Sequence, residues 1–366
     1  MNLTRNPYFY VVDTEGNQLP YIDNVVYNVG QDVETLVLQA LNGEIDMQDR
    51  HIATNANRSI FFDGQEAGGY HFYETVPSSS NVMVISLNLM HLDLAKREIY
   101  QNKDFRVGLS QAIDRQEIID VVYVGQGEPY QAAPRPQSPF YNETLAKQYT
   151  EFDVEAANVS LDKVLPNKDA EGYRLMPSGE RLVISMEVIA TLFPEWPLAL
   201  ELIQGYWADV GIDMQLVVED RRVFYDHKAA NQHDAAIWAG DGGLEVILEP
   251  RWYFPNGNES NYGEAWQYWF NNPADERAEE PPAAVKEQME LYNQLRATAD
   301  PEGQNALMNQ ILDIAPEQFY TIGISLPANG YGIVKNNMHN VPATILQAYL
   351  YPSPGPTNTF TFYFGD

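Results

Sequence analysis

The chain has 366 residues, long enough for about two domains that each bury a sizeable core. Its 22 basic residues stand against 51 acidic ones, a net charge of −29 that repels phosphate backbones and anionic lipid and so argues against nucleic-acid and membrane-surface partners. The absence of cysteine excludes disulfides, thiol nucleophiles and thiolate metal sites together.

The opening third reads as mixed helix and strand. "NVVYNV" (24–29) is a β-branched strand, and "DVETLVLQALNG" (32–43) a helix with Val33, Leu36, Val37, Ala40 and Leu41 on one face. Asp32 is placed to cap its start and Gly43 to stop it. "YHFYETV" (70–76) and "NVMVISLNL" (81–89) are two strands separated by the turn-like "PSSS". Residues 98–124 are helical, a Gly/Pro-rich loop covers 125–141, and "DVEAANVSLDKVL" (153–165) is a short helix.

From 181 the pattern alternates: strand 181–190, helix 194–211, strand 212–219, helix 222–231, strand 233–240. Ala199, Leu202, Ile203, Tyr206 and Val210 share a helical face, with Pro197 in the first turn and Gly211 at the end. Such alternation indicates a parallel or mixed sheet packed by helices, an α/β fold. Residues 250–282 read as irregular, and "ERAEEPP" (276–282) as a solvated acidic loop. Two helices (283–297, 301–315), strands 319–326 and 330–335 and a Pro-rich tail complete the chain.

The sequence carries no GxSxG, P-loop, GxGxxG, HExxH or EF-hand pattern. His227 and His233 would meet at a metal only by accident of folding, so no metal, cofactor or catalytic residue is expected, and the histidines are read as surface or partly buried side chains. No apolar run is long enough to span a bilayer, and "MNLTRNPYFY" lacks a signal-peptide core.

One distribution stands out. All six tryptophans fall between 196 and 269. Trp196 and Trp207 belong to the helix around 194–211 and read as core. Trp238 ends a strand, and Trp252, Trp266 and Trp269 lie in the irregular segment behind it. Loops at strand ends are where open α/β sheets bind ligands, so these four are candidates to line a cleft, with ordinary loop packing as the alternative.

The stretches "NPYFYVVDTEGNQLPYIDNVVYNV", "LQALNGEIDM", "LSQAIDRQEIIDVVYVGQGEPY", "WADVGIDMQLV" and "HDAAIWAGDGG" occur in the order seen in family 5 extracellular solute-binding proteins, which serve ATP-binding-cassette importers. The chain resembles that family over almost its whole length. The resemblance implies a class II periplasmic-binding-protein-like fold of two α/β lobes, incomplete at the N-terminal side because family members are longer and begin with a signal peptide. It assigns 1–90 to the later part of lobe I, 91–326 to lobe II and 327–366 to the segment returning to lobe I, with crossings near Asn88–His91 and Leu326–Gly330. Met1 then marks a shortened product.

In peptide-binding members the aspartate of a Trp-x-x-Asp motif pairs with the ligand's α-amino group beside the tryptophan. "WAGD" places those roles on Trp238 and Asp241. Gly240, Gly242 and Gly243 lack β-carbons, which would let a ligand backbone approach and would allow positive φ. A bare, hydrated Asp241 in an open inter-lobe cleft would form a charge-assisted bond when hinge closure traps an ammonium. The alternative is that Asp241 only opens an Asx-type turn.

The expected function is therefore extracytoplasmic capture of a small oligomer, most simply a peptide, by a monomer that delivers it to importer permease subunits. Oligosaccharide capture is the alternative, suited to stacking on Trp238, Trp252, Trp266 and Trp269. An extracytoplasmic hydrolase is a third reading, and it would need two facing carboxylates that no local pattern picks out.

Overall fold

The computed structural model describes residues 1–30 and 32–365, in two compact units: Met1–Ser78 with the C-terminal segment from Ala328, and Ser79–Pro327.

The first unit is built on a four-stranded sheet in the order Thr344–Gln347, Tyr70–Pro77, Gly330–Lys335, Met47–Gln48. Gly330–Lys335 runs antiparallel to both neighbours, and Thr344–Gln347 parallel to Tyr70–Pro77. Helices Val33–Leu41 and Arg58–Gly68 close a small core of Val37, Ala40, Ile52, Phe61, Tyr70, Tyr331 and Ile333. Asp32 caps the first helix as its sequence indicates, its carboxylate accepting from the Thr35 N–H at 2.6 Å. Gly43 follows that helix at φ +71°.

The second unit carries a five-stranded mixed sheet in the order Ile322–Gly323, Asn81–Leu87, Ala235–Gly240, Val183–Val188, Asp213–Val218. The last three strands run parallel, and Asn81–Leu87 is antiparallel to the strands on both its sides. Strand Asn81–Leu87 was expected to share a segment with Tyr70–Pro77. It pairs instead inside the second unit, so the first unit ends at Ser78 rather than near Asn88–His91. The reason is its composition: "VMVIS" is apolar on both faces, and only a central strand can bury both.

Helix Glu195–Asp209 packs on this sheet through Trp196, Ala199, Leu200, Ile203 and Trp207, a stripe at helical spacing. Both indoles are core, and their N–H groups donate to the Val82 carbonyl at 3.0 Å and the Leu109 carbonyl at 3.1 Å. Gly211 ends the segment at φ +85°.

The helical region 98–124 is three helices, Leu94–Gln101, Lys103–Gln111 and Arg115–Val121. Asn102 breaks it by capping the second helix, and Asp114 by capping the third. The irregular reading of 250–282 is corrected at its centre, where Glu264–Asn271 is a helix carrying Trp266 and Trp269. Gly263 stands at its N-cap with no side-chain cap, so the sequence carries no start signal. Helices Ala283–Ala297 and Pro301–Gln318 pack together behind it. None of the helices among the described residues is long and apolar enough to cross a membrane.

Candidate functional site

Strand Ala235–Gly240 is central in its sheet and buried along nearly all its length. Asp241 is the first residue beyond its C-terminal end, the position at which α/β sheets offer ligand sites. Trp238, three residues earlier, is 8% exposed. Its ring stacks on Phe224 with centroids 5.7 Å apart and meets Tyr225 edge-on at 5.9 Å. The Lys228 ammonium lies 4.6 Å from the Tyr225 centroid and 3.6 Å from Glu259. Trp238 is thus clamped by helix Arg221–Ala229 and its cation.

Asp241 is not bare, as its glycine neighbours suggested. Arg251 stands 4.0 Å away, but that guanidinium is hydrogen-bonded to Glu249. Among the described residues no group donates a hydrogen bond to the Asp241 carboxylate, so the Asx-turn alternative has no support in the geometry. Burial pushes its pKa up to about 6. Arg251 opposes the shift, while Glu249, Glu259 and Glu245 add to it. The loop therefore holds a carboxyl whose ionised form is disfavoured by burial, among more acids than bases.

Gly240 and Gly242 serve the protein's own packing. A Cβ on Gly240 would lie 2.6 Å from the Cβ of Asn81, and one on Gly242, at φ +81°, would lie 2.5 Å from that of Glu249. The Gly243 carbonyl accepts from the Arg135 N–H at 2.9 Å. Within the chain itself, Gly240 and Gly242 admit the close approach of Asn81 and Glu249.

The tryptophans divide. Trp252 is 3% exposed, and its indole N–H donates to the Asp241 carbonyl at 3.1 Å, so it braces the loop from behind. Trp266 is buried in the core, and Trp269 lies partly buried against it. The structure brings Trp238, Asp241, Gly240, Gly242, Gly243 and Trp252 together around one strand end and places Trp266 and Trp269 on a separate helix.

Sequence reading missed Arg251, Glu249, Glu259 and Lys228. They are 8–18 residues from Asp241, and nothing local marks a charge that acts at such a separation. It also missed what "AIDRQEII" does. Arg115 is buried and donates to the Gly323 carbonyl at 3.0 Å and to the carbonyl and hydroxyl of Ser110, tying its helix to the sheet edge. His233 is a fully buried core residue, its ring bonded to the Asn261 carbonyl at 2.7 Å and held neutral by burial, which drives its pKa down to about 4.

Residues 1–261 match the profile of bacterial extracellular solute-binding proteins, family 5 Middle. A periplasmic alpha-galactoside-binding protein of Rhizobium meliloti is 24% identical over 93% of this chain and 49% of its own length. A di/tripeptide-binding protein 3 of Pseudomonas aeruginosa is 27% identical over 61% of this chain and 38% of its own. This chain thus spans less than half the length of either curated relative. Among solved structures, the oligopeptide-binding protein OppA superposes over all of this chain and 60% of its own with a TM-score of 0.78 and 31% identity.

Proposed function

The chain belongs to the bacterial extracellular solute-binding proteins of family 5 and has their two-lobed α/β fold, and from that membership we infer that it captures a short peptide outside the cytoplasm for an ATP-binding-cassette importer. The observation that carries the peptide reading is Asp241. A carboxylate at the end of the central strand, without a hydrogen-bond donor and among Glu245, Glu249 and Glu259, lowers its free energy by taking up a cation. A peptide's α-ammonium supplies one, and a neutral sugar does not. The ion-paired hydrogen bond is worth roughly 1.5–3 kcal/mol.

The names of the relatives support both cargos. Two of them are named for di- and tripeptides or oligopeptides, and a third, matched over 93% of this chain, is named for alpha-galactosides. The oligosaccharide reading needs aromatic faces turned to a ligand, and Trp252 and Trp266 turn theirs into the core. Family membership favours binding over hydrolysis, and delivery to permease subunits, by a monomer, is part of the same reading.

Calorimetric titration of the protein with a tripeptide, its N-acetylated form and an alpha-galactoside tests it. The free-amine peptide binds, acetylation weakens it about tenfold or more, and Asp241→Ala weakens the free peptide by the same factor. Equal affinity for the free and acetylated peptides removes the ammonium clamp, and binding of the galactoside alone replaces the cargo.

A further inference from the structure

Three side chains far apart in sequence meet beside the outer strands of the second unit's sheet. Glu187 lies on strand Val183–Val188, Glu219 directly follows strand Asp213–Val218, and His227 sits on helix Arg221–Ala229. The two strands are parallel with Glu187 opposite Val217, and the Glu219 N–H donates to the Val188 carbonyl at 3.1 Å, which sets the two glutamates side by side. The helix then returns over the strand ends and lowers His227 onto them.

His227 Nδ1 lies 3.3 Å from Glu187 Oε1 and 3.3 Å from Glu219 Oε2, and the three residues can each offer a ligand atom within 4.8 Å of the others. Both glutamate side chains are only 8% exposed. Glu187 Oε2 and Glu219 Oε1 accept no hydrogen bond at all. Two buried carboxylates thus share one imidazole, which can bring at most one positive charge and one proton on Nδ1. Unpaired charge of this kind is expensive inside a protein, and the usual remedies are a partner cation or a metal.

We propose that Glu187, Glu219 and His227 form a binding site for a divalent first-row transition-metal ion, best satisfied by zinc. The donor set supplies two hard oxygens and one borderline nitrogen, whose charge a dication balances. A tetrahedral ion with bonds of about 2.0–2.1 Å has donor–donor edges of about 3.3–3.4 Å, and the two N···O separations already have that length. Calcium and magnesium prefer all-oxygen shells of six or more, which an imidazole and two carboxylates do not provide. His227 is 41% exposed, so an ion has a path in and water can fill the fourth position. The same helix carries Phe224 and Lys228 against Trp238, so an ion here would also pin the element that clamps that ring.

Chelator-stripped protein titrated with zinc chloride against a chromophoric competitor decides this. One ion binds per chain with a Kd of about micromolar or tighter. His227→Ala and Glu187→Gln each weaken it about tenfold or more, while His71→Ala, a control for diffuse binding to an acidic surface, leaves it unchanged. Zinc also raises the melting temperature of the wild type but not of His227→Ala. X-ray absorption on the zinc-loaded wild type, which needs no variant to fold, shows one nitrogen and two carboxylate oxygens in the first shell. The proposal is overturned by the absence of stoichiometric binding, by equal zinc affinity in wild type and His227→Ala, or by calcium or magnesium binding as tightly as zinc.

Discussion

Asp241 and Asp234 are close in sequence and opposite in electrostatics. Asp241 has too few donors, and burial holds its carboxyl up to about 6. Pairing with an ammonium needs the ionised form. Peptide affinity is therefore predicted to be level from about pH 6.5 to 7.5 and to fall by up to about tenfold per pH unit below 6, as the carboxyl protonates. Calorimetry across that range checks it, and an affinity flat down to pH 5 would separate Asp241 from the ligand. In the free protein the sign for stability is the reverse of the usual acid. Between 3.8 and about 6 the folded chain keeps a proton the unfolded chain has lost, so stability falls as pH rises through that window.

Asp234 is also buried, which raises its pKa. Hydrogen bonds from His91, Lys96 and the Ser185 N–H more than reverse this and hold it down to about 2. His91 and Lys96 each approach it at 2.8 Å. Its stabilisation is fully present above the unfolded value of 3.8 and is lost as pH falls through about 2. Asp234→Ala leaves the Lys96 ammonium without its partner and should cost about 3–5 kcal/mol in a denaturant melt at pH 7. The sequence made Asp241 conspicuous through its glycines and gave no hint of Asp234, because its partners come from 138 and 143 residues away.

At the scale of elements, helices with a cap, a stripe and a stop were legible. Val33–Leu41 has Asp32 and Gly43, and Glu195–Asp209 has its buried face and Gly211. Glu264–Asn271 was illegible because its N-cap is a glycine without a side-chain bond and its flanks, Pro255, Gly257 and Pro273, are turn formers. The acidic run 276–282 is solvated over most of its length, with Glu276, Arg277 and Glu280 exposed, and the fold adds to it a pair between Glu279 and Arg97 at 2.7 Å. In the loop after Gly240, conformation rather than composition sets the tolerance to change. Gly242→Ala would hold a side chain at φ +81° with its Cβ 2.5 Å from that of Glu249. A loss of about 1–3 kcal/mol is predicted by chemical denaturation. Glu249 holds Arg251, so the same substitution should also weaken peptide binding.

For the whole molecule, alternation of strand and helix identified the α/β class and the order of elements. What it left open was which strands share a sheet. Asn81–Leu87 follows Tyr70–Pro77 after a three-residue break, yet pairs with residues about 150 and 240 positions away. Pairing at such range is decided by burial of both faces, which a linear pattern does not encode. The metal-ligand trio is illegible for the same reason, since Glu187, Glu219 and His227 converge only once two parallel strands and a helix are in place.

The confinement of every indole to residues 196–269, all within Ser79–Pro327, has a practical outcome. Under tryptophan-selective excitation the first unit is optically dark, while circular dichroism sees both units. A melt followed by both signals tells whether the units unfold together: coincident midpoints mean one cooperative transition, and an early dichroism change with unaltered emission means the dark unit melts first. The chain thus carries its own one-sided reporter, with no label to attach.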